Sequence, residues 1–189
     1  MEIEDIITER LLLRELQMDD IHSIQKLGNA FEIADTAINI PYPYTFEAAE
    51  EWIKKILNPD KNIKDYIFAI TRRPESALIG VIGMMPDYQH LRAEIGYWIG
   101  LKYWNRGYCT EAAEAVLDFG FTKLQMSRIF AQCFARNPAS SRVIEKIGMK
   151  YEGKLRNHII KWDKPEDMLI FGILRNEWLE KKGIVKGKE

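Results

Sequence analysis

Apolar residues recur along this chain at two spacings, and the switches between them mark its elements. Alternating or nearly continuous apolar runs predict strands over Arg10–Gln17, Tyr66–Thr71, Ala77–Met85, Arg92–Ile99, Arg128–Ala135, Tyr151–Trp162 and Met168–Leu174. Between them the spacing changes to three and four. Asp19 or Asp20 is placed to cap a helix whose Ile21, Ile24 and Leu27 share one face and which ends near Gly28-Asn29. Thr45 caps a second helix with a stripe of Ala49, Trp52, Ile53 and Ile56, stopped at Asn58-Pro59-Asp60. A third carries Ala113, Val116, Leu117, Gly120, Phe121 and Leu124 on one side. Asn137-Pro138 opens a fourth, asparagine as cap and proline in the first turn, closing at Gly148. Residues 39–45 form a proline-punctuated loop rich in tyrosine. The order β-α-α-β-β-β-α-β-α-β-β predicts an α/β fold, a mixed sheet flanked by helices.

Composition narrows the picture. The 189 residues suffice for one domain spanning 1–189, with a charged tail from about Lys181 expected to fray. A formal net charge of −1 gives no basic excess to hold nucleic acid. The longest strongly apolar run, Ala77–Met85, is far too short to cross a bilayer, and MEIEDIITER lacks the apolar core of a signal peptide. Two cysteines, Cys109 and Cys133, imply no disulfide framework, so a cytoplasmic location is expected. The three histidines, His22, His90 and His158, show no metal-ligand spacing, and no metal is expected.

The candidate chemistry concentrates in RAEIGYWIGLKYWNRGYCTEA, residues 92–112. It reads as a strand, a tight loop at Asn105-Arg106-Gly107, and the first turn of a helix. Such a junction aims unpaired backbone N–H groups one way, at the positive end of the helix dipole, and forms a cradle for phosphate. Neither G-x-G-x-x-G opening a helix nor G-x-x-x-x-G-K-[ST] occurs, so the dinucleotide and P-loop readings fall away. Alternation puts Glu94, Gly96 and Trp98 on one face of the strand, and Gly96 removes a side chain where a backbone or a thin ligand must come close. A β-bulge is the bland alternative for Gly96. Cys109 reads as a small residue in a crowded turn rather than a nucleophile, and Cys133 as core packing.

Three segments, Ala93–Ile99, Tyr103–Ala112 and Asn137–Gly148, resemble in order and spacing the motifs of the GNAT superfamily of N-acetyltransferases, closest to its RimJ/RimL branch, which acetylates the N-termini of ribosomal proteins. The resemblance covers nearly the whole chain. Asn105 stands where glycine is usual and Cys109 where alanine or glycine is usual; asparagine tolerates left-handed backbone, so the loop should survive. The resemblance implies the GNAT fold, with a mostly antiparallel central sheet, and acetyl-CoA as co-substrate. It implies that the backbone of Tyr97, Trp98 and Ile99 meets the pantetheine arm and that Asn105, Arg106, Gly107, Tyr108, Cys109 and Thr110 wrap the pyrophosphate. Asn137, a helix cap in its own right, would also hold pantetheine. Glu94 would take the proton of the amine, and Ser140 would serve as acid for the departing thiolate. Tyr42, Tyr44 and Trp162 lie in segments that would fold over the acceptor. The expected acceptor is a primary amine, a protein N-terminus foremost, with a polyamine, amino sugar or antibiotic as the enzyme alternative and an acyl-CoA-binding sensor as the non-enzyme one. A monomer or homodimer is expected.

Overall fold

Strands form where the apolar runs lie because each buries one or both faces against helices, and one sheet collects them all. The computed structural model describes residues 4–58 and 65–184. Its strands are β1 (Ile6–Ile7), β2 (Leu11–Glu15), β3 (Tyr66–Arg72), β4 (Ala77–Asp87), β5 (Arg92–Ile99), β6 (Arg128–Phe134), β7 (Lys150–Lys161) and β8 (Lys164–Leu174). They run β1-β2-β3-β4-β5-β6-β8-β7 across the sheet. Every neighbouring pair is antiparallel except β5–β6, which is parallel. A parallel pair needs a crossover, and helix α4 (Tyr108–Thr122) supplies it.

Two cores lie on the two faces. On one, α4, α5 (Pro138–Lys146) and α6 (Arg175–Lys181) press Val116, Phe121, Ile144 and Trp178 onto Ile95, Ile129 and Phe171. On the other, α1 (Ile21–Gly28) and α3 (Phe46–Leu57) press Ile24, Ala49 and Ile53 onto Ala69 and Val81. The α4 stripe is fully buried, as its spacing requires. Thr45 accepts the Ala48 N–H at 3.2 Å and Asn137 accepts that of Ser140 at 3.1 Å, so both expected caps are made.

Several expectations are corrected. Asp20 does not cap α1: its carboxylate turns back to the Gln17 N–H (2.9 Å) and the Arg14 guanidinium (2.7 and 2.8 Å). The segment after Asn29 holds a further helix, α2 (Phe31–Thr36), in which only Ile33 and Ala34 are buried, too few to set a period. Helix α6 starts directly after β8 with no polar break; Glu177 accepts the Leu174 N–H and stops the strand. Strand β1 is two residues long, below any pattern's reach. No register shift interrupts the β4–β5 ladder, so Gly96 is not a bulge. Asn58 is the C-cap of α3; Pro59-Asp60 and residues 185–189 of the tail lie outside the described residues.

Candidate active site

The parallel β5–β6 pairing covers only Arg92–Glu94 against Arg128–Phe130, although both strands continue. Beyond Glu94 they part, and the wedge between them opens into a cleft of about 640 Å³. The ladder phase fixes which backbone groups look into it. Gly100 N–H donates to Ile79 O at 2.9 Å, so in the uninterrupted antiparallel ladder the main chain of Gly96 and Trp98 also faces β4. The groups facing the wedge are the Ile95 carbonyl and the main chain of Tyr97 and Ile99; the Ile95 N–H still belongs to the β5–β6 ladder at Phe130. Trp98 therefore departs from expectation: its own amide belongs to the sheet, and it meets the cleft through its side chain. Of the wedge-facing carbonyls, that of Ile99 already accepts from the Trp104 indole at 2.6 Å.

The cradle follows at once. Asn105 sits at φ 58° and Gly107 at φ 78°, both left-handed, so the chain coils tightly before α4. Asparagine thus occupies the geometry for which it was expected to be tolerated. The N–H groups of Tyr108, Cys109 and Thr110, in the first turn of α4, have no intrahelical acceptor. Arg10 underpins the loop from β2's side of the molecule. Its guanidinium donates to Arg106 O (3.0 Å) and Glu111 (2.6 Å) and stacks over the Tyr108 ring, and its amide also donates to Glu111 (2.8 Å). Burial tends to raise Glu111, but Thr8 and Arg10 outweigh it and hold the carboxyl below its ordinary range.

Glu94 and Ser140 reach the cleft from opposite faces of the sheet. Glu94 shares the α1–α3 face with Gly96 and Trp98. It is half-buried, and desolvation raises its pKa; a long 3.4 Å contact from Gln132 of β6 offsets this only in part. Ser140 lies in the first turn of α5, on the α4 face, with its hydroxyl 3.1 Å from the Tyr97 phenol. Burial pushes that phenol well above its ordinary value, so Tyr97 stays protonated. Across the ladder Gly96 faces Gly83. A Cβ on Gly83 would strike Ile67 at 2.5 Å, whereas one on Gly96 would meet only Met85 at 3.7 Å; the open space is at Gly96.

The remaining expected residues are placed as follows. Cys109 is half-buried in the first turn of α4 and borders the cleft, and burial pushes its thiol up, which disfavours a thiolate nucleophile. Cys133 is buried and packs in the core, though it also borders the cleft. Tyr44 is buried against Gly28 and lines the cleft, its phenol raised to about 12 by burial, while Tyr42 and Trp162 stand exposed around Phe31, outside the cleft lining. His22 packs on Phe46, His90 sits in the β4–β5 turn and His158 on β7, so the three do not converge. Sequence reasoning missed Arg10, Gln132 and Trp104. Each acts through a partner on another element or through a backbone atom, and no local spacing announces such a contact.

Comparison with known proteins agrees with this geometry. The family model described as an acetyltransferase (GNAT) domain matches residues 10–150. The chain is 33% identical over 173 residues to the uncharacterized N-acetyltransferase YnaD of Bacillus subtilis, covering 92% of this chain and 98% of that one. It is 23% identical over 176 residues to a spermidine N(1)-acetyltransferase of Vibrio cholerae, covering 93% and 99%. A GNAT-family acetyltransferase structure from Bacillus anthracis superposes with a TM-score of 0.81 at 29% identity, over 92% of this chain and 99% of that one. A wedge-split mixed sheet, a left-handed cradle at the start of α4 and these matches together place the chain in the GNAT family of N-acetyltransferases.

Proposed function

We propose that the protein moves the acetyl group of acetyl-CoA to a single primary amine on an otherwise uncharged or apolar body, a protein N-terminal α-amine. The observation that carries this reading is the charge of the cleft. Among the described residues lining it, Glu94 is the one carboxylate, set beside Ile67, Val81, Met85 and Trp98. A polyamine brings two or more ammonium groups, and each needs a counter-charge when it leaves water. One carboxylate serves one ammonium.

The residues fit the co-substrate. The left-handed turns at Asn105 and Gly107 and the open first turn of α4 suit a pyrophosphate, and Arg106 adds charge beside it. The wedge-facing groups of Ile95 and Tyr97 suit an extended amide arm, with Asn137 alongside. The amine forms the new C–N bond at the thioester carbonyl while the C–S bond breaks. One wedge-facing amide N–H of β5 stabilises the developing oxyanion. Glu94 accepts the amine's proton. Ser140, its hydroxyl paired with Tyr97, hydrogen-bonds the departing thiolate and relays to it the second proton that the nitrogen sheds on becoming an amide, so the hydroxyl is restored.

Proton cost favours the same acceptor. At pH 7, freeing an α-amine with a pKa of about 8 costs about 1.4 kcal/mol, against about 4.6 kcal/mol for a lysine at about 10.4. One half-buried glutamate with a raised pKa suits the smaller task. Thiol release measured over peptides with free N-termini, the same peptides blocked, spermidine and an amino sugar tests the reading. Turnover confined to free N-termini is expected. Preference for spermidine would overturn it, and no turnover with any amine would favour an acyl-CoA-binding sensor.

A further inference from the structure

Lys161, the last residue of β7, is only 7% exposed, yet its ammonium is hydrogen-bonded to no carboxylate. Among the described residues, its three N–H donors go instead to the backbone carbonyls of Ala37 (2.8 Å), Ile38 (3.3 Å) and Ile40 (3.1 Å). These residues belong to the stretch between α2 and α3 that has no regular secondary structure, and all three line the cleft. A buried ammonium is tolerated only when its donors are filled. The carbonyls of this irregular loop are therefore held in one arrangement by a side chain from the far end of the sheet.

A second tie reinforces the first. Arg136, just after β6, grips Asp35 at the end of α2 through both carboxylate oxygens (2.7 and 3.1 Å) and its carbonyl (2.9 Å), while Glu166 holds the same guanidinium at 2.9 Å. Trp162 donates its indole N–H to Asp35 at 2.9 Å and stacks on Phe31. Side chains from the β6–β8 half of the sheet thus reach over the wedge to residues 31–40. Burial pushes Lys161 down from its ordinary pKa against the opposing charge of Asp35, and its ammonium also lies 4.6 Å from the centre of the Trp162 ring.

We propose that Lys161 is a positioning residue for the acceptor. With Arg136 it pins residues 37–40 as the wall against which the amine-bearing substrate is placed before Glu94. This rests on the reading above that the acceptor occupies that part of the cleft. The cradle for the co-substrate lies elsewhere, at residues 105–110, so the two sites should respond separately.

The test compares wild type with Lys161→Met, which keeps the length of the side chain and removes the donors. Amide exchange at residues 37–40 should accelerate about tenfold or more. The KM for a peptide acceptor should rise about tenfold while acetyl-CoA affinity by calorimetry stays within about twofold. Unchanged exchange, or faster exchange with an unchanged acceptor KM, overturns the proposal. If Lys161→Met does not fold, the more exposed Arg136→Gln must raise the acceptor KM without weakening acetyl-CoA; a wild-type KM in that variant overturns it equally. If wild type acetylates no peptide, the peptide reading fails by itself. The KM measurement then uses whichever amine of the panel is turned over, and unchanged exchange still rejects the clasp.

Discussion

Glu94 is asked to be charged in a place that disfavours charge. Desolvation raises its pKa, and Gln132 offsets that weakly. A carboxyl whose folded pKa lies above its unfolded one gives stability that is full below the unfolded value and is lost as pH rises through the folded value. Glu94→Gln removes that loss. The unliganded variant should melt no lower than wild type at pH 7.5, and the gap between them should close or reverse at pH 4. Turnover should move the other way, with kcat falling about 10²–10³-fold. That deficit should shrink as pH approaches the acceptor's own pKa, because the amine then arrives deprotonated. A flat ratio from neutral to alkaline pH would make Glu94 a positioning group rather than a base. Gly107 is the second decisive residue. Its φ of 78° disfavours any side chain, and a Cβ would lie 3.3 Å from the Arg10 guanidinium. Gly107→Val should weaken acetyl-CoA binding far more than it lowers the melting temperature; normal affinity by calorimetry would put the cradle elsewhere.

At the scale of elements, β5 matters most because it is paired along its whole length on one side and only over Arg92–Glu94 on the other. The unpaired edge is the proposed site. Alternation along the strand then sorts its side chains, Ala93, Ile95 and Ile99 into the α4 core and Glu94, Gly96 and Trp98 toward α1 and α3. Gly96 gives this arrangement its room. Valine has good strand propensity and its Cβ there meets only Met85, so Gly96→Val should fold about as well as wild type. It should nevertheless lose acceptor turnover, because the new side chain occupies the cleft. A variant with full activity would show that the acceptor approaches from another side. Acetyl-CoA binding, which we propose uses the odd-numbered backbone groups of β5 and the start of α4, should be less affected than turnover.

For the whole molecule, the wedge joins two halves of the sheet that share only three residue pairs of parallel ladder between β5 and β6. A ligand lying along that seam contacts both halves and stabilises the folded state by linkage, about 2.7 kcal/mol at a concentration 100 times its Kd. Acetyl-CoA should accordingly raise the melting temperature in a concentration-dependent way, and NAD and ATP should do so much less. A thermal-shift series in which ATP matched acetyl-CoA would argue against the proposed co-substrate. Desulfo-CoA serves as the control that separates binding from turnover, because it keeps the pyrophosphate and pantetheine and has no thioester.

Most of the sheet and the helices α1, α3, α4 and α5 were legible in the chain itself, because their information is local. Hydrophobic period, the caps Thr45 and Asn137 and the punctuation at Gly148 act within a few residues of where they stand. The cradle was legible for the same reason, since a left-handed loop opening a helix is a property of consecutive residues. Short elements such as α2 bury too little to leave a period. What the sequence could not give is whatever depends on partners far apart in it: the point where β5 and β6 part, the Arg10 brace under Arg106, the Tyr97–Ser140 pair and the Lys161 tie to residues 37–40. Trp98 shows the limit most sharply. Alternation correctly gave the face of its side chain, but whether its amide looks into the cleft or into the sheet depends on the phase of the β4–β5 ladder, and two strands set that phase only when they pair.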